Sequence, residues 1–220
     1  MSGFEYSGPI ETERLHLRAF EGRDFDVLFA MRSHPQVVRW LYWGIQTEDQ
    51  VRATLEEKTA ARALRAEGDV LALAAVLKTT GELVADVILR WVSREHRTGE
   101  IGFVIHPNHQ GRGYATEATR PILRVAFEDV GLHRVIGCTE ARNTASAHVL
   151  AKLGMRQEAH LIENEWVKGE WQSELVYAIL DREWRERASP TGPAIPGGRS
   201  QEGRSPGGSP TGSRAPTPSG

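Results

Sequence analysis

The sequence predicts a mixed α/β domain of the α+β class, in which helices flank a mostly antiparallel central sheet. The first observation is that the spacing of apolar residues changes several times between a strand period and a helical period. The second is the resulting element order, β-α-α-β-β-β-α-β-α-β-β. Strands joined by short turns become antiparallel neighbours, whereas a single helix between two strands permits a parallel step, so both kinds of pairing are expected.

Turn and capping residues set the boundaries of these elements. Thr47 lies three residues before Gln50, which is a capping-box pattern. Asn143 can cap a helix that stops at Gly154, and Gly81 and Gly169 lie at hairpin turns. The predicted elements are a strand over residues 15–20, helices over 24–31 and 47–65, strands over 70–78, 83–92 and 100–105, a helix over 115–127 with Pro121 as a predicted kink, a strand over 134–138, a helix over 143–153, and strands over 161–167 and 174–180.

Composition divides the chain near Ala188. The 220 residues are 40% hydrophobic, which is enough for one globular domain, but seven of the 11 prolines lie beyond Ala188. That segment also contains many Gly and Ser residues and no aromatic residue, so it cannot bury enough apolar surface to offset the entropy of ordering. We therefore predict a domain over residues 1–187 and a disordered Pro/Gly/Ser-rich tail over residues 188–220.

Charge and cysteine content argue against several classes of function. A net charge of -2 gives no support for a nucleic-acid or membrane-surface partner. The single Cys138 lies in an apolar run, so we interpret it as a buried strand thiol and exclude an internal disulfide. The histidines lack zinc-ligand spacing, and no apolar run reaches the roughly 20 residues of a membrane helix. We expect a cytoplasmic protein without a metal ion.

The most informative segment is residues 100–117, where a strand, a polar turn and a helix follow one another. Gly111 and Gly113 permit close approach of a ligand to the backbone, and the following helix presents free N–H groups that suit a pyrophosphate. Thr116 occupies the third glycine position of a dinucleotide fingerprint, and no Gly-Lys-Ser or Gly-Lys-Thr triplet forms a P-loop. A glycine-rich loop without a ligand remains the alternative on the glycines alone.

The turn from Gln110 through Gly113 to Ala115 resembles the Gln/Arg-x-x-Gly-x-Gly/Ala signature of the GNAT acetyltransferase superfamily. The neighbouring residues are similar to its RimJ/RimL-type branch, which acetylates the N-termini of ribosomal proteins, and the resemblance spans roughly residues 10–184 in the family's order. The segments that carry it are Glu13-Arg14-Leu15-His16-Leu17-Arg18, Gly99-Glu100-Ile101-Gly102-Phe103, Gly131-Leu132-His133-Arg134-Val135, Asn143-Thr144-Ala145-Ser146 and Lys152-Leu153-Gly154-Met155.

The resemblance implies a GNAT fold with a splayed parallel strand pair and acetyl-CoA bound in the gap. By position, backbone groups of three strand residues would bind the pantetheine arm, the turn would hold the pyrophosphate, and a helix-capping asparagine would contact the cofactor. These residues are Phe103, Val104 and Ile105, then Gln110, Gly111, Arg112, Gly113, Tyr114, Ala115 and Thr116, and finally Asn143.

The resemblance also implies that an amine attacks the thioester directly. Glu165 matches the glutamate placed near the incoming amine, with Glu163 as the second candidate for the base. Ser146 takes the position of the group that hydrogen-bonds the leaving sulfur, because the tyrosine of many relatives is absent here. The N–H of Val104 or its neighbour would stabilise the oxyanion.

The acceptor is the least determined part of the prediction. Trp40, Trp43 and Trp91 would form an apolar wall for it, although packing in the core explains the same residues. The preferred acceptor is a protein N-terminal α-amine. The alternatives are a small amine, such as an aminoglycoside, polyamine or metabolite, and a non-catalytic sensor of acyl-CoA. A monomer and a homodimer are both compatible with the sequence.

Overall fold

The structure is a computed structural model that describes residues 3–188, so the predicted disordered tail, apart from Ala188 at the end of the last helix, lies outside the described residues. Short 3₁₀ turns at Gly22–Asp24 and Pro107–His109 accompany the main elements. In chain order these are β1 (Phe4–Glu5), β2 (Ile10–Glu11), β3 (Leu15–Ala19), α1 (Phe25–Arg32), α2 (Pro35–Val38), α3 (Glu48–Ala60), β4 (Ala63–Leu64), β5 (Val70–Leu77), β6 (Leu83–Ser93), β7 (Thr98–Ile105), α4 (Tyr114–Arg124), β8 (Arg134–Glu140), α5 (Thr144–Lys152), β9 (Arg156–Val167), β10 (Glu170–Leu180) and α6 (Asp181–Ala188).

One eight-stranded sheet, with the order β2-β3-β5-β6-β7-β8-β10-β9, forms the centre of the fold. Every pairing in it is antiparallel except that of β7 with β8. The predicted mixed fold with a mostly antiparallel sheet and one parallel pair is therefore confirmed. A small β1–β4 pair lies outside this sheet.

Several boundaries differ from the predicted ones. Thr47 and Gln50 form the expected reciprocal capping box, but α3 ends at Ala60 rather than residue 65, because Ala63–Leu64 pairs with Phe4–Glu5 as a strand. Pro121 does lie inside α4, which continues as a π-helical turn over Val125–Asp129. The β1–β4 pair was not predicted, because two-residue strands have no periodicity, and the C-terminal helix α6 was not predicted either.

Two hydrophobic cores lie on opposite faces of the sheet. Alternate residues of β5 divide between them: Leu71, Leu73 and Ala75 pack on the face covered by α4 and α5, and Ala72 and Ala74 on the face covered by α1 and α3. Because both faces are covered, the interior of the sheet is apolar, and a ligand can enter only where strand pairing is interrupted.

Trp91 belongs to the first core rather than to an acceptor-binding wall. Its side chain is 1% exposed, and its indole Nε1–H donates to the Ser93 carbonyl at 3.1 Å. It occupies a position on β6 whose side chain points into the sheet's packed interior. The predicted contact of Trp91 with the acceptor is therefore wrong, and its role is to stabilise the fold.

Within residues 3–188, the helices are all too short or too polar to cross a membrane.

Candidate functional site

The parallel pair opens into a gap. Pairing between β7 and β8 runs only from Thr98↔Arg134 to Glu100↔Ile136, although β7 continues to Ile105 and β8 to Glu140. A cleft of ≈ 720 Å³ occupies this gap and extends to both faces of the sheet. The cleft lies where the resemblance to acetyltransferases implies the cofactor.

The backbone of β7 presents unpaired groups to this gap. His106 N–H donates to the Val84 carbonyl at 2.9 Å, and the register continues without a shift through Val104↔Asp86. In an antiparallel ladder the hydrogen-bonding direction alternates, so the N–H of Val104 points to β6 and those of Phe103 and Ile105 point to the gap. The candidate oxyanion donors are therefore the neighbours of Val104 rather than Val104 itself.

The loop between β7 and α4 has the features of an anion site. Gly111 and Gly113 have φ values of 74° and 82°, which a residue with a side chain rarely adopts. The first helical hydrogen bond of α4 is from Glu117 N–H to the Gly113 carbonyl, so the preceding N–H groups have no acceptor within the helix. No partner for the N–H groups from Gly111 to Thr116 occurs among the described residues, which fits a bound pyrophosphate.

A brace from the segment just before β3 holds this loop. Glu117 accepts bonds at 2.7 Å from the Thr12 hydroxyl, the Arg14 N–H and the Arg14 guanidinium. Arg14 also donates to the Arg112 carbonyl at 3.1 Å and stacks over the Tyr114 ring. Although burial raises the pKa of Glu117, these bonds outweigh it and lower the pKa below its ordinary value. The carboxylate therefore fixes the start of α4.

Three carboxylates in the cleft lack a cationic partner. Glu100, Glu165 and Glu174 line it, and no Lys, Arg or His nitrogen lies within 4 Å of them in the described part of the chain. By contrast, Glu140 and Asp86 are paired with Arg142 and Lys58.

The unpaired carboxylates act on the groups around them. Burial raises the pKa of Glu100; the charge of Arg90, which lies opposite it on β6, partly offsets this rise, and the charge of Glu174 adds to it. Tyr42 donates its hydroxyl to Glu174 at 3.1 Å, and burial together with Glu174 and Glu165 raises its pKa strongly. This end of the cleft is therefore suited to a cation.

Cys138 lies beside these carboxylates. Burial, followed by the charges of Glu174 and Glu100, raises its pKa to about 12, so the thiol stays protonated near neutral pH. This agrees with its interpretation as a strand thiol and argues against a nucleophile.

The two candidates for the base occupy different environments. Glu165 lines the cleft and pairs with Gln172 across the β9–β10 hairpin. Glu163 lies in a bulge opposite Ser173, with a φ of 47°, and its exposed side chain does not line the cleft. The structure therefore removes Glu163 and leaves Glu165 as a prediction.

The start of α5 provides the other predicted side chains. The Asn143 carbonyl oxygen accepts from Ser146 N–H at 3.1 Å and so caps the helix. Both residues line the cleft, so the cap is compatible with a second role in binding the cofactor. The predicted cofactor residues also line it, except Arg112, whose carbonyl accepts the bond from Arg14.

Residues 38–44 form a roof over the cleft on the face of α1 and α3. Trp40 and Trp43 line it as predicted, with Arg39 over the Trp40 ring at 4.4 Å and Arg32 over the Trp43 ring at 4.3 Å. The bond from Tyr42 to Glu174 and one from Lys168 to the Val38 carbonyl attach the roof to the β9–β10 hairpin. The roof is thus held at both ends.

Sequence reasoning missed Arg32, Tyr42 and Glu174. Glu174 was assigned only to a strand, and the irregular register between Gln172 and Glu174 breaks the alternation that would have predicted its direction. Tyr42 lies between Trp40 and Trp43, which the sequence analysis identified, so the cluster of aromatic residues could have indicated Tyr42 as well.

Comparison with known proteins identifies relatives along most of the chain. The model of the acetyltransferase (GNAT) domain matches residues 14–156. The uncharacterized N-acetyltransferase YnaD of Bacillus subtilis is 32% identical over 80% of this chain and 98% of its own length. A GNAT-family acetyltransferase structure from Bacillus anthracis has a TM-score of 0.72 and 30% identity, covering 80% of this chain and 99% of that one.

A third match is one of fold. The spermidine N-acetyltransferase of Vibrio cholerae in complex with CoA and spermine superposes with a TM-score of 0.66 at 20% identity, covering 78% of this chain and 98% of that one.

Replacing Gly113 by Glu should abolish binding of acetyl-CoA. The substitution places a negative charge at the pyrophosphate loop and strains a backbone with a φ of 82°. Gly81→Glu is the matched control, because Gly81 has a φ of 76° in the β5–β6 turn and does not line the cleft. Calorimetric titration with acetyl-CoA measures the affinity, and unchanged affinity in Gly113→Glu would contradict the site assignment.

Glu117→Gln should destabilise the fold more at pH 7 than at pH 3. The folded-state pKa of Glu117 is lowered, so its contribution is present above the ordinary carboxyl pKa of about 4.3 and is lost as the pH falls through the folded value. Urea unfolding of both proteins at the two pH values measures the difference, with Glu82→Gln as an exposed control. Equal losses at both pH values would show that the charge of Glu117 contributes nothing.

Proposed function

The chain belongs to the GNAT acetyltransferases and is an acetyl-CoA-dependent N-acetyltransferase, and we propose that its acceptor is a small primary amine that enters the cleft as a cation. The observation that carries the proposal is the group of three cleft carboxylates without a cationic partner, Glu100, Glu165 and Glu174. An ammonium group supplies the charge that these carboxylates lack, and this charge is also what must be removed before reaction.

Acetyl-CoA supplies an electrophilic thioester carbonyl. We infer that the amine loses a proton to Glu165 and then attacks the carbonyl carbon, while the N–H of Phe103 or Ile105 stabilises the negative charge that develops on the oxygen. As the carbon–sulfur bond breaks, the new amide nitrogen loses its excess proton and the leaving sulfur takes up a proton to give the CoA thiol, with Ser146 providing a hydrogen bond or relay. Glu174 and Tyr42 hold the ammonium beside this position.

The roof favours a small amine over a polypeptide. Tyr42 and Val38 tie it to the β9–β10 hairpin, and Arg142 packs over Trp40 from the β8–α5 side. A protein N-terminus needs an open groove for the residues that follow it, and we infer that the attached roof restricts such a groove. The N-terminal α-amine of the RimJ/RimL-type resemblance is the competing acceptor class. The spermine complex of the Vibrio cholerae protein supports a small amine by likeness of fold.

An acceptor panel tests the proposed function. Release of the CoA thiol is followed with small mono-, di- and polyamines and with peptides that have free N-termini. We expect kcat/KM for the preferred small amine to exceed that for every peptide by at least about tenfold, as one or two binding contacts would give. Higher values for peptides would identify the N-terminal class, and CoA binding without turnover of any amine would identify a sensor.

Glu165→Gln and Glu174→Gln should have separable effects. Loss of a general base lowers kcat by about 10² or more, and the loss in Glu165→Gln should grow as the pH falls and more of the amine is protonated. Glu174→Gln should mainly raise KM, because it removes a charge that binds the ammonium. Steady-state kinetics from pH 6 to 9 measures both, with Glu163→Gln as the matched control outside the cleft. A loss in Glu165→Gln that is the same at every pH would contradict its role as base.

A further inference from the structure

A second charged position in the cleft lies away from the carboxylates, at the end of α1. The Arg32 Nε–H donates to Gln46 Oε1 at 2.6 Å, and the guanidinium lies over the Trp43 ring at 4.3 Å. These two contacts fix the plane of the group and use one of its five N–H donors, while Arg32 itself lines the cleft. The remaining N–H groups of the guanidinium therefore form a set of donors whose plane is already fixed.

Arg32 has no close counter-charge. Within residues 3–188, no carboxylate oxygen lies within 4 Å of its nitrogens. Asp86, which acts on it from a distance together with Glu57, is already bonded through both oxygens to Lys58 at 2.8 Å. Burial lowers the pKa of Arg32, which is the cost of keeping a charge in this position without an ion-pair partner. Arg32 is half-buried, and a charged side chain withdrawn from water in this way normally has an ion-pair partner.

The neighbouring indole also lacks a partner. Trp43 Nε1–H is covered from solvent and has no acceptor among the described residues. Buried indole N–H groups normally find an acceptor, so a cation without a carboxylate partner lies over an indole donor without an acceptor.

This position lies on the acceptor side of the cleft. Val104 and Ile88 pack with the core of α1 and α3, whereas Phe103 and Ile105 pack with the core of α4 and α5. Arg32 is the last residue of α1, on the face opposite the loop that begins α4. The anion that Arg32 binds is therefore separate from the pyrophosphate of acetyl-CoA.

We propose that Arg32, supported by Trp43, forms a carboxylate subsite, so that the acceptor is a small amino-carboxylate whose amine lies at Glu165 and Glu174. The two terminal nitrogens of the Arg32 guanidinium can each donate an N–H to one oxygen of a carboxylate, which gives a bidentate hydrogen bond. The ammonium group of such an acceptor is complementary to the carboxylates of the cleft, and its carboxylate is complementary to Arg32. The inference rests on the proposed function, because the amine end is the one acetylated there. It distinguishes this chain's acceptor from a polyamine, which has no anionic group.

Matched pairs of free amino acids and their carboxamides test the subsite. The pairs include acids whose amine is at the α, β or γ carbon relative to the carboxylate. In the native protein, kcat/KM for the preferred acid should exceed that for its amide by at least tenfold. Arg32→Gln should reduce this ratio to near one, with the loss of kcat/KM falling mainly on the acid rather than on the amide. Trp43→Phe keeps the ring under the guanidinium and should give a smaller reduction. Arg52→Gln removes a cation of α3 that stacks on Phe25 outside the cleft, and should leave the ratio unchanged.

Several results would overturn the subsite. One is a native ratio near one; another is a ratio unaffected by Arg32→Gln. Equal losses for acid and amide would indicate that Arg32 only holds the roof, and a loss of acetyl-CoA affinity would indicate that it binds the cofactor. If no amine is turned over, the proposed function fails by itself. Calorimetric titration of acids and amides into the CoA-bound native and Arg32→Gln proteins then decides the subsite, since only the native protein should prefer acids.

Discussion

The end of strand pairing between β7 and β8 is the constraint on which the rest of the structure depends. After Glu100↔Ile136 the two parallel strands separate, and both continue without a partner on their facing edges. Unpaired backbone groups inside a sheet are unfavourable unless another molecule or water satisfies them. The fold therefore has a strand-shaped gap at its centre. The candidate functional groups are arranged around this gap, with the glycine loop at one end, the carboxylates across it and the roof above.

Separation of charge within the cleft follows from this arrangement. Successive side chains of a strand point to opposite faces of the sheet, so the side chains of β7 divide between the face of α4, which follows the glycine loop, and the face of the roof. Asp86 and Glu140 are neutralised by Lys58 and Arg142, whereas six other charged residues of the cleft have no ion-pair partner within 4 Å among the described residues: Glu100, Glu165, Glu174, Arg32, Arg90 and Lys152. The charges without partners, rather than the total charge of the chain, determine what the cleft can recognise.

Much of the fold and the donor half of the site could be predicted from the sequence. Changes in the spacing of apolar residues predicted the positions of the long strands. Gly111 and Gly113 indicated a loop, and their positive φ values explain why glycine occurs there. The acceptor half could not be predicted in the same way. Trp91 and Trp43 have the same side chain, and only the tertiary structure separates a core residue from one lining the cleft. The direction of the Glu174 side chain depends on an irregular strand register, and the proposed role of Arg32 depends on the absence of a carboxylate partner. No local sequence pattern contains either property.

The brace between Arg14 and Glu117 has a consequence for the segment that precedes the first long strand. Thr12 and Arg14 are attached to the same carboxylate that fixes the start of α4, so residues distant in sequence share one rigid unit. By thermodynamic reciprocity, a ligand that orders the α4 loop also suppresses opening of residues 12–14, and loosening of that segment weakens the ligand. If acetyl-CoA binds at the α4 loop, its affinity is therefore linked to the order of the segment around Thr12 and Arg14, although neither residue lines the cleft.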